Sequence, residues 1–353
     1  MNVSVQFAAA TSVAAARRKL RSRWWVVTAG LCLVVLVLMA LALTIGDYPL
    51  PVGDVVHSLL SPFTGEADPA NDFIVLGVRL PRAVTGLLAG AALGLSGAIF
   101  QTVLRNPLAS PDIVGITTGA STAAVIAIIM FHLSGIAVAA SATGGAVAIS
   151  ALIYVLSWRG GVTPYRLVLV GIGMAAISAA ITSYMFTRAR IFEVQQAMAW
   201  LTGSLNGATF EQLLPLALGL LVLAPLSVVL YRPLSSLELG DDAARALGTR
   251  IEVTRLGTLL VAVVLASFAT ATVGPLAFVA FASGPVAKRL LGPAGNVLLP
   301  AALVGGAVTI GADLIAQHAL GRSQLPAGVV TGAVGAMFLI YLLAAANRSG
   351  RGG

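Results

Sequence analysis

Two arginines bracket a proline in the tetrapeptide RLPR, and Arg79 and Arg82 so placed can offer a carboxylate bidentate guanidinium forks. The bland alternative is anchoring, with both side chains snorkelling from a helix entrance to an interface. Other reactive chemistry is sparse. The single Cys32 excludes an internal disulfide, and His57, His132 and His318 lack the spacing of a metal site. No GxxxxGKS/T phosphate loop is present and Lys19 and Lys288 are the only lysines, so nucleotide hydrolysis would require another chain. Asp313 falls in or near an apolar run, where an ionised carboxylate is costly. One carboxylate offers no proton relay, so a paired or hydrogen-bonded group at a helix end is expected there.

The elements that must carry these residues are apolar. Of 353 residues 58% are hydrophobic and 10% charged, against about 25% charged in soluble domains. Runs of about 20 apolar residues suit a bilayer, and they predict about ten spans: 24–46, 83–104, 113–132, 136–158, 166–187, 212–231, 252–272, 275–291, 296–318 and 327–346. The Gly/Pro-punctuated stretch 273–300 is where short or broken helices are expected. The 38 glycines suit close helix packing in lipid. The fold class is thus an all-α polytopic membrane protein.

Charge sorts with this topology. Sixteen of the 21 Lys and Arg fall on one side of the spans and five on the other, which places both termini in the cytoplasm. The net charge of +8 flanks apolar segments and does not gather in an aromatic-interleaved patch, so nucleic acid is not the implied partner. Residues 1–23 read as a basic cytoplasmic extension, 24–346 as the membrane domain and 347–353 as a cytoplasmic tail. A small-x-small site at Ala40 to Ala42 raises a signal peptide as rival, but the run after Trp24 is long enough to span. Outer segments 47–82 and 188–211 each have room for a short amphipathic helix.

Two inner segments break the pattern. Between Arg105 and Gly115, Asn106, Pro107, Ser110, Pro111 and Asp112 interrupt any continuous helix; an ordinary turn competes with the lining of a cavity. The loop 235–250 belongs to LSSLELGDDAARALGTR, with Leu237, Leu239, Ala243, Ala244 and Leu247 near helical spacing and Gly248 as a stop.

RLPR, GAALGLSGAIFQ, NPLASPDIVGITTGA, WLTGSL at 200–205, LELGDDAARALG at 237–248, GPLAFVAF at 274–281, and AD with LPAGVVTG at 312–332 occur in order. Together they resemble the iron-siderophore, haem and cobalamin permease family of ABC importers. The resemblance implies a type II ABC importer permease fold in a bacterial cytoplasmic (inner) membrane. It also implies a second homologous permease subunit, two cytoplasmic ATPase subunits carrying ATP and Mg, and an extracytoplasmic substrate-binding protein. Arg79 and Arg82 then match arginines that dock the binding protein. Asn106 and Leu108 match one cytoplasmic gate loop, and Thr163, Pro164 and Tyr165 fall where a second lies. Leu239, Gly240, Asp241, Ala243, Ala244, Leu247 and Gly248 match the helix that couples to the ATPase.

Two departures stand against the family pattern. Ser283 to Lys288 reads SGPVAK where the family commonly has Pro-His, a small apolar pair and Arg, and Gln317 replaces a docking arginine for which Arg322 lies close enough in sequence to substitute. Such asymmetry points to a heterodimer with a different permease chain. The expected cargo is a ferric siderophore, with haem or cobalamin as alternatives. A secondary transporter would need embedded coupling charges, and a membrane enzyme would need a convergent catalytic group that the sequence does not offer. A purely structural role would not require gate and coupling motifs together.

Overall fold

The computed structural model describes residues 3–65, 68–292, 294–319 and 324–349. Its helices are α1 (Val3–Thr44), α2 (Val52–Thr64), α3 (Pro69–Asp72), α4 (Leu80–Leu104), α5 (Ile116–Phe131), α6 (Ile136–Ser157), α7 (Pro164–Arg188), α8 (Ile191–Leu201), α9 (Phe210–Ser236), α10 (Asp241–Ala246), α11 (Ile251–Val273), α12 (Val279–Leu291), α13 (Leu298–His318) and α14 (Ala327–Ser349). A π-helical stretch Phe73–Arg79 runs into α4, and a 3-10 turn Leu237–Leu239 precedes α10.

A helix stands at each of the ten expected spans. Seven helices of the described residues are long and apolar enough to cross a membrane, with Ile116–Phe131 and Ala327–Leu342 as shorter apolar helices. The expected break at 273–300 is real: α12 has 13 residues and so reaches about 20 Å, short of an apolar layer of about 30 Å. The two segments with room for a short amphipathic helix hold α2 and α8. Along α2, Val52, Val56 and Leu60 repeat every fourth residue and stay exposed, whereas Val55 and Ser58 are buried.

At the N-terminus the basic segment before Trp24 and the apolar run after it share one helix, α1, which is continuous over 42 residues. Helix α1 is fastened to the body: Trp24 Nε1 donates to the Asn296 carbonyl at 2.7 Å and Arg23 Nη2 to that of Leu290 at 3.0 Å.

The centre of the bundle is α4, buried along most of its length between α11, α12 and α13. Its run of small residues allows backbone contact in a setting where packing replaces the hydrophobic drive. A Cβ on Gly97 would lie 1.9 Å from the Ala280 carbonyl oxygen, and one on Gly94 would lie 2.2 Å from that of Ala301. Both neighbours are backbone and cannot yield. Gly97→Val is therefore expected to destabilise the bundle by about 1–3 kcal/mol or more, seen as a lower melting temperature in detergent; an unchanged temperature would show that α4 does not pack this closely.

Basic residues from the two inferred sides enter separate networks, one at each end of α4. At one end Arg105 meets Asp241, Lys288 meets Glu238 at 3.2 Å and Arg255 reaches the Val162 carbonyl. At the other, Arg82 meets Asp313 and Arg79 meets carbonyls in the last turn of α1 and just beyond it.

Candidate functional site

Three stretches far apart in sequence meet through glycine. Gly203 (φ 67°) and Gly274 (φ 73°) adopt a conformation that side chains resist. A Cβ on Gly203 would strike the Pro275 carbonyl at 2.3 Å, and one on Gly328 would strike that of Thr202 at 2.0 Å. Two hydrogen bonds lock the junction, Ser204 N–H to the Val273 carbonyl at 2.8 Å and Gly328 N–H to that of Gly203 at 3.0 Å. WLTGSL, GPLAFVAF and LPAGVVTG are thus one structural unit.

A cavity of about 700 Å³ opens from this junction toward the loop after α4. Thr202, Pro275, Phe278 and Gly328 line one end, and Leu108, Ser110, Asp112 and Thr117 the other. Its wall is largely apolar, with Ser and Thr hydroxyls among leucine and aromatic side chains, and Phe278 and Phe281 pack edge to face at 5.8 Å. Phe278 holds φ 65°, costly for an aromatic residue, at the N-terminus of α12.

In the loop after α4, Asn106 Oδ1 accepts from Leu108 N–H at 2.9 Å, the local bond that makes Asn a turn former. The turn reading of this segment and the cavity-lining reading therefore hold together. Asp112 takes a 2.7 Å hydrogen bond from Thr117 Oγ1. Burial pushes its carboxyl up to about 6, against the smaller opposing effect of Thr117. A raised carboxyl pKa favours the native state where the group is neutral, so this contribution declines as pH rises from about 4 to 6 and is lost above. Asp112→Asn is expected to be more stable than the parent at pH 7, with the difference shrinking toward pH 4 in paired melting curves; a difference independent of pH would place Asp112 in water.

The remaining predicted residues fall into two groups. Thr163 precedes α7, Pro164 is its first residue and Tyr165 projects outward, 77% exposed. In 235–250, Gly240 (φ 103°) breaks the expected continuous helix and divides its apolar residues. Leu237 and Ala244 turn into the bundle at 0% exposure, while Leu239 (68%) and Leu247 (66%) project outward with Ala243. Ala244 therefore packs within its own subunit and offers no surface to a partner. Gly248 (φ 82°) follows α10 as expected of a stop.

Both outer arginines are engaged inside the chain. Arg79 Nη1 donates to the Leu43 and Thr44 carbonyls at 2.7 and 3.1 Å and Nη2 to that of Tyr48, closing the end of α1. Arg82 grips Asp313 with Nε on Oδ2 and Nη2 on Oδ1, each at 2.9 Å. Gln317 Nε2 adds a bond to Asp313 at 2.8 Å. Asp313 is thus paired, as expected of a carboxylate in this setting. Arg322 lies outside the described residues, as do residues 350–353 of the tail.

The family model for the FecCD transport family matches residues 33–345, which takes in the whole cavity, the α10 segment and the Arg82–Asp313 pair. The chain belongs to the FecCD transport family. Among its relatives, a ferric enterobactin transport system permease protein of Escherichia coli K12 is 38% identical over 90% of this chain and 97% of its own length. An Fe(3+)-citrate import system permease protein of Bacillus subtilis 168 is 36% identical over 89% and 93%. A cobalamin import system permease protein of Halobacterium salinarum is 33% identical over 84% and 80%. A solved inward-facing ABC transporter assigned to the metal-chelate type superposes with a TM-score of 0.79 at 25% identity, covering 90% of this chain and 98% of that one.

Within this FecCD chain three of the motifs that carry the resemblance, WLTGSL, GPLAFVAF and LPAGVVTG, are spatial neighbours. What the sequence reading missed is Arg255, whose side chain is 4% exposed and meets Asp241 and Glu252. An arginine set inside the start of an apolar run was the available signal.

Proposed function

We propose that this chain is the membrane-spanning permease subunit of an ABC importer that carries ferric-siderophore-type chelates across a bacterial inner membrane. The observation that carries this reading is the cavity joining the loop after α4 to the junction of WLTGSL, GPLAFVAF and LPAGVVTG, with α10 displayed at the inner end. Its largely apolar lining, with scattered hydroxyls, offers passage to a bulky chelate without tight capture, leaving selection to an extracytoplasmic binding protein. A second permease chain, identical or homologous, covers the apolar faces that α7 and α14 leave open, among them Leu169, Ile172, Met337 and Ile340. Two cytoplasmic ATPase subunits supply ATP and Mg and seat on the exposed leucines around α10. Both termini then lie in the cytoplasm.

Membership of a family with enterobactin, citrate and cobalamin relatives supports a chelate cargo. Iron-bearing relatives favour ferric siderophores, and the archaeal relative keeps cobalamin as the second reading. Secondary transport is disfavoured because Asp313 is already neutralised by Arg82. For a binding protein to use Arg82, its carboxylate must share or displace Asp313; Arg79 is similarly committed to α1.

The test is uptake by a strain lacking this chain, using radioiron-labelled siderophores alongside labelled cobalamin and haem. Ferric siderophore uptake is expected to fall at least tenfold and to return with the parent chain. Loss confined to cobalamin would transfer the assignment to that cargo, and uptake intact for all three would refute the chelate importer.

A further inference from the structure

The inner end of the molecule holds one network that unites four segments. Helix α4 stops at Leu104 and Arg105 turns the chain in the left-handed conformation (φ 50°), which throws its side chain across to α10. There Arg105 Nη2 donates to Asp241 Oδ1. Arg255, on the second turn of α11, brings Nη2 within 3.3 Å of both oxygens of the same carboxylate. Its Nη1 donates to the Val162 carbonyl, immediately before Thr163 and α7. Burial opposes ionisation of Asp241, but Arg105 and Arg255 outweigh it and hold the carboxyl below its usual range. One carboxylate therefore binds α10 to the loop after α4, and through Arg255 to the loop before α7.

The pairing is also unfinished in an informative way. Glu252 Oε1 stands 3.5 Å from Arg255 Nη1, while Glu252 Oε2 and Arg255 Nε are buried without a hydrogen-bond partner. Stripping a buried guanidinium of its carboxylate is strongly unfavourable. Glu252 already stands within ion-pair distance of Arg255, so Arg255 keeps a carboxylate when Asp241 withdraws. A link between sites requires such an element with two discrete arrangements.

We propose that Asp241, Arg105 and Arg255 form a clasp that transmits movement of α10 to the loops around Asn106 and Thr163, with Glu252 receiving Arg255 when α10 is drawn away. This rests on the reading of α10 as the ATPase seat. Asp241 is then a positioning residue: it touches no substrate and acts through the two arginines.

The experiment uses the full transporter, permease with ATPase and binding protein, in proteoliposomes, with Asp241→Asn keeping size and removing charge. Two readouts are taken, substrate accumulated per ATP hydrolysed, and the thiol-labelling rate of Ile113→Cys in a Cys32→Ser background with and without a non-hydrolysable nucleotide. Ile113 is 43% exposed in the loop after α4 and so reports that loop directly. Substrate per ATP is expected to fall at least tenfold, and the labelling rate to lose its response to nucleotide. A ratio within twofold of the parent overturns the clasp, and so does a lowered ratio with the nucleotide response intact, which would mark Asp241 as structural only. Should Asp241→Asn not assemble, Arg105→Gln takes its place with the same readouts, since Arg105 is one-third exposed and outside the core. Failure of the underlying reading shows separately: Ala243→Glu would then retain the ATPase.

Discussion

Asp313→Ala is expected to destabilise the subunit by about 3–5 kcal/mol, because it leaves the Arg82 guanidinium shielded from water and without its carboxylate. The side chains of Arg82 and Asp313 are only 12% and 7% exposed, so water cannot compensate. The loss should appear as a sharply lower melting temperature and a poor yield of dispersed protein. Replacing both partners tests the cause. Arg82→Met with Asp313→Leu removes both charges and should regain most of the stability, because a buried pair is costly chiefly when halved. That double variant also separates two roles of Arg82. If it only ties α4 to α13, the folded double variant still binds the proposed extracytoplasmic binding protein; if it also docks that protein, binding is lost and is sensitive to salt in the parent.

On the proposed seating of an ATPase on α10, truncating Leu239 and Leu247 together to alanine should weaken that association at least tenfold while leaving the subunit folded. Burying one leucine contributes about 1.5–3 kcal/mol, and these two project from the inner end with little cover of their own. Ala243→Glu should act more strongly, by placing a charge within the same contact. Ala244→Glu is a different experiment: Ala244 is enclosed by its own subunit, so that variant damages the fold before it reaches any partner. Co-purification of the ATPase with each variant, beside a melting curve, distinguishes these outcomes. Full retention of the ATPase by Leu239→Ala/Leu247→Ala would remove α10 from the coupling role.

The helices were legible in the sequence because lipid demands long apolar runs, and even the short α12 announced itself through Gly274, Pro275 and Pro285. The pairing of Asp313 followed from the cost of a lone charge, although its partner, 231 positions away, did not. The register of 235–250 differs from helical spacing for a local reason. Gly240, at φ 103°, ends one turn before another starts, so Ala244 faces the bundle while Ala243 faces out. The cavity was legible in the sequence only at the loop after α4, where lining was one of two readings. It depends on backbone approaches at Gly203, Gly274 and Gly328 that sequence records only as glycines. Arg255 was counted as an inner positive charge, and its burial at the meeting of four segments emerged only with the fold.

Energy coupling is the centre of the proposed function, and reconstitution tests it most directly. Purified subunit is placed in proteoliposomes alone, then with ATPase and binding protein, and ATP hydrolysis and accumulation of labelled ferric chelate are measured together. A permease whose energy comes from another chain predicts neither activity from the subunit alone and ATP-dependent accumulation from the assembled complex. Hydrolysis by rigorously pure subunit, or chelate accumulation driven by an ion gradient without the ATPase, would contradict it.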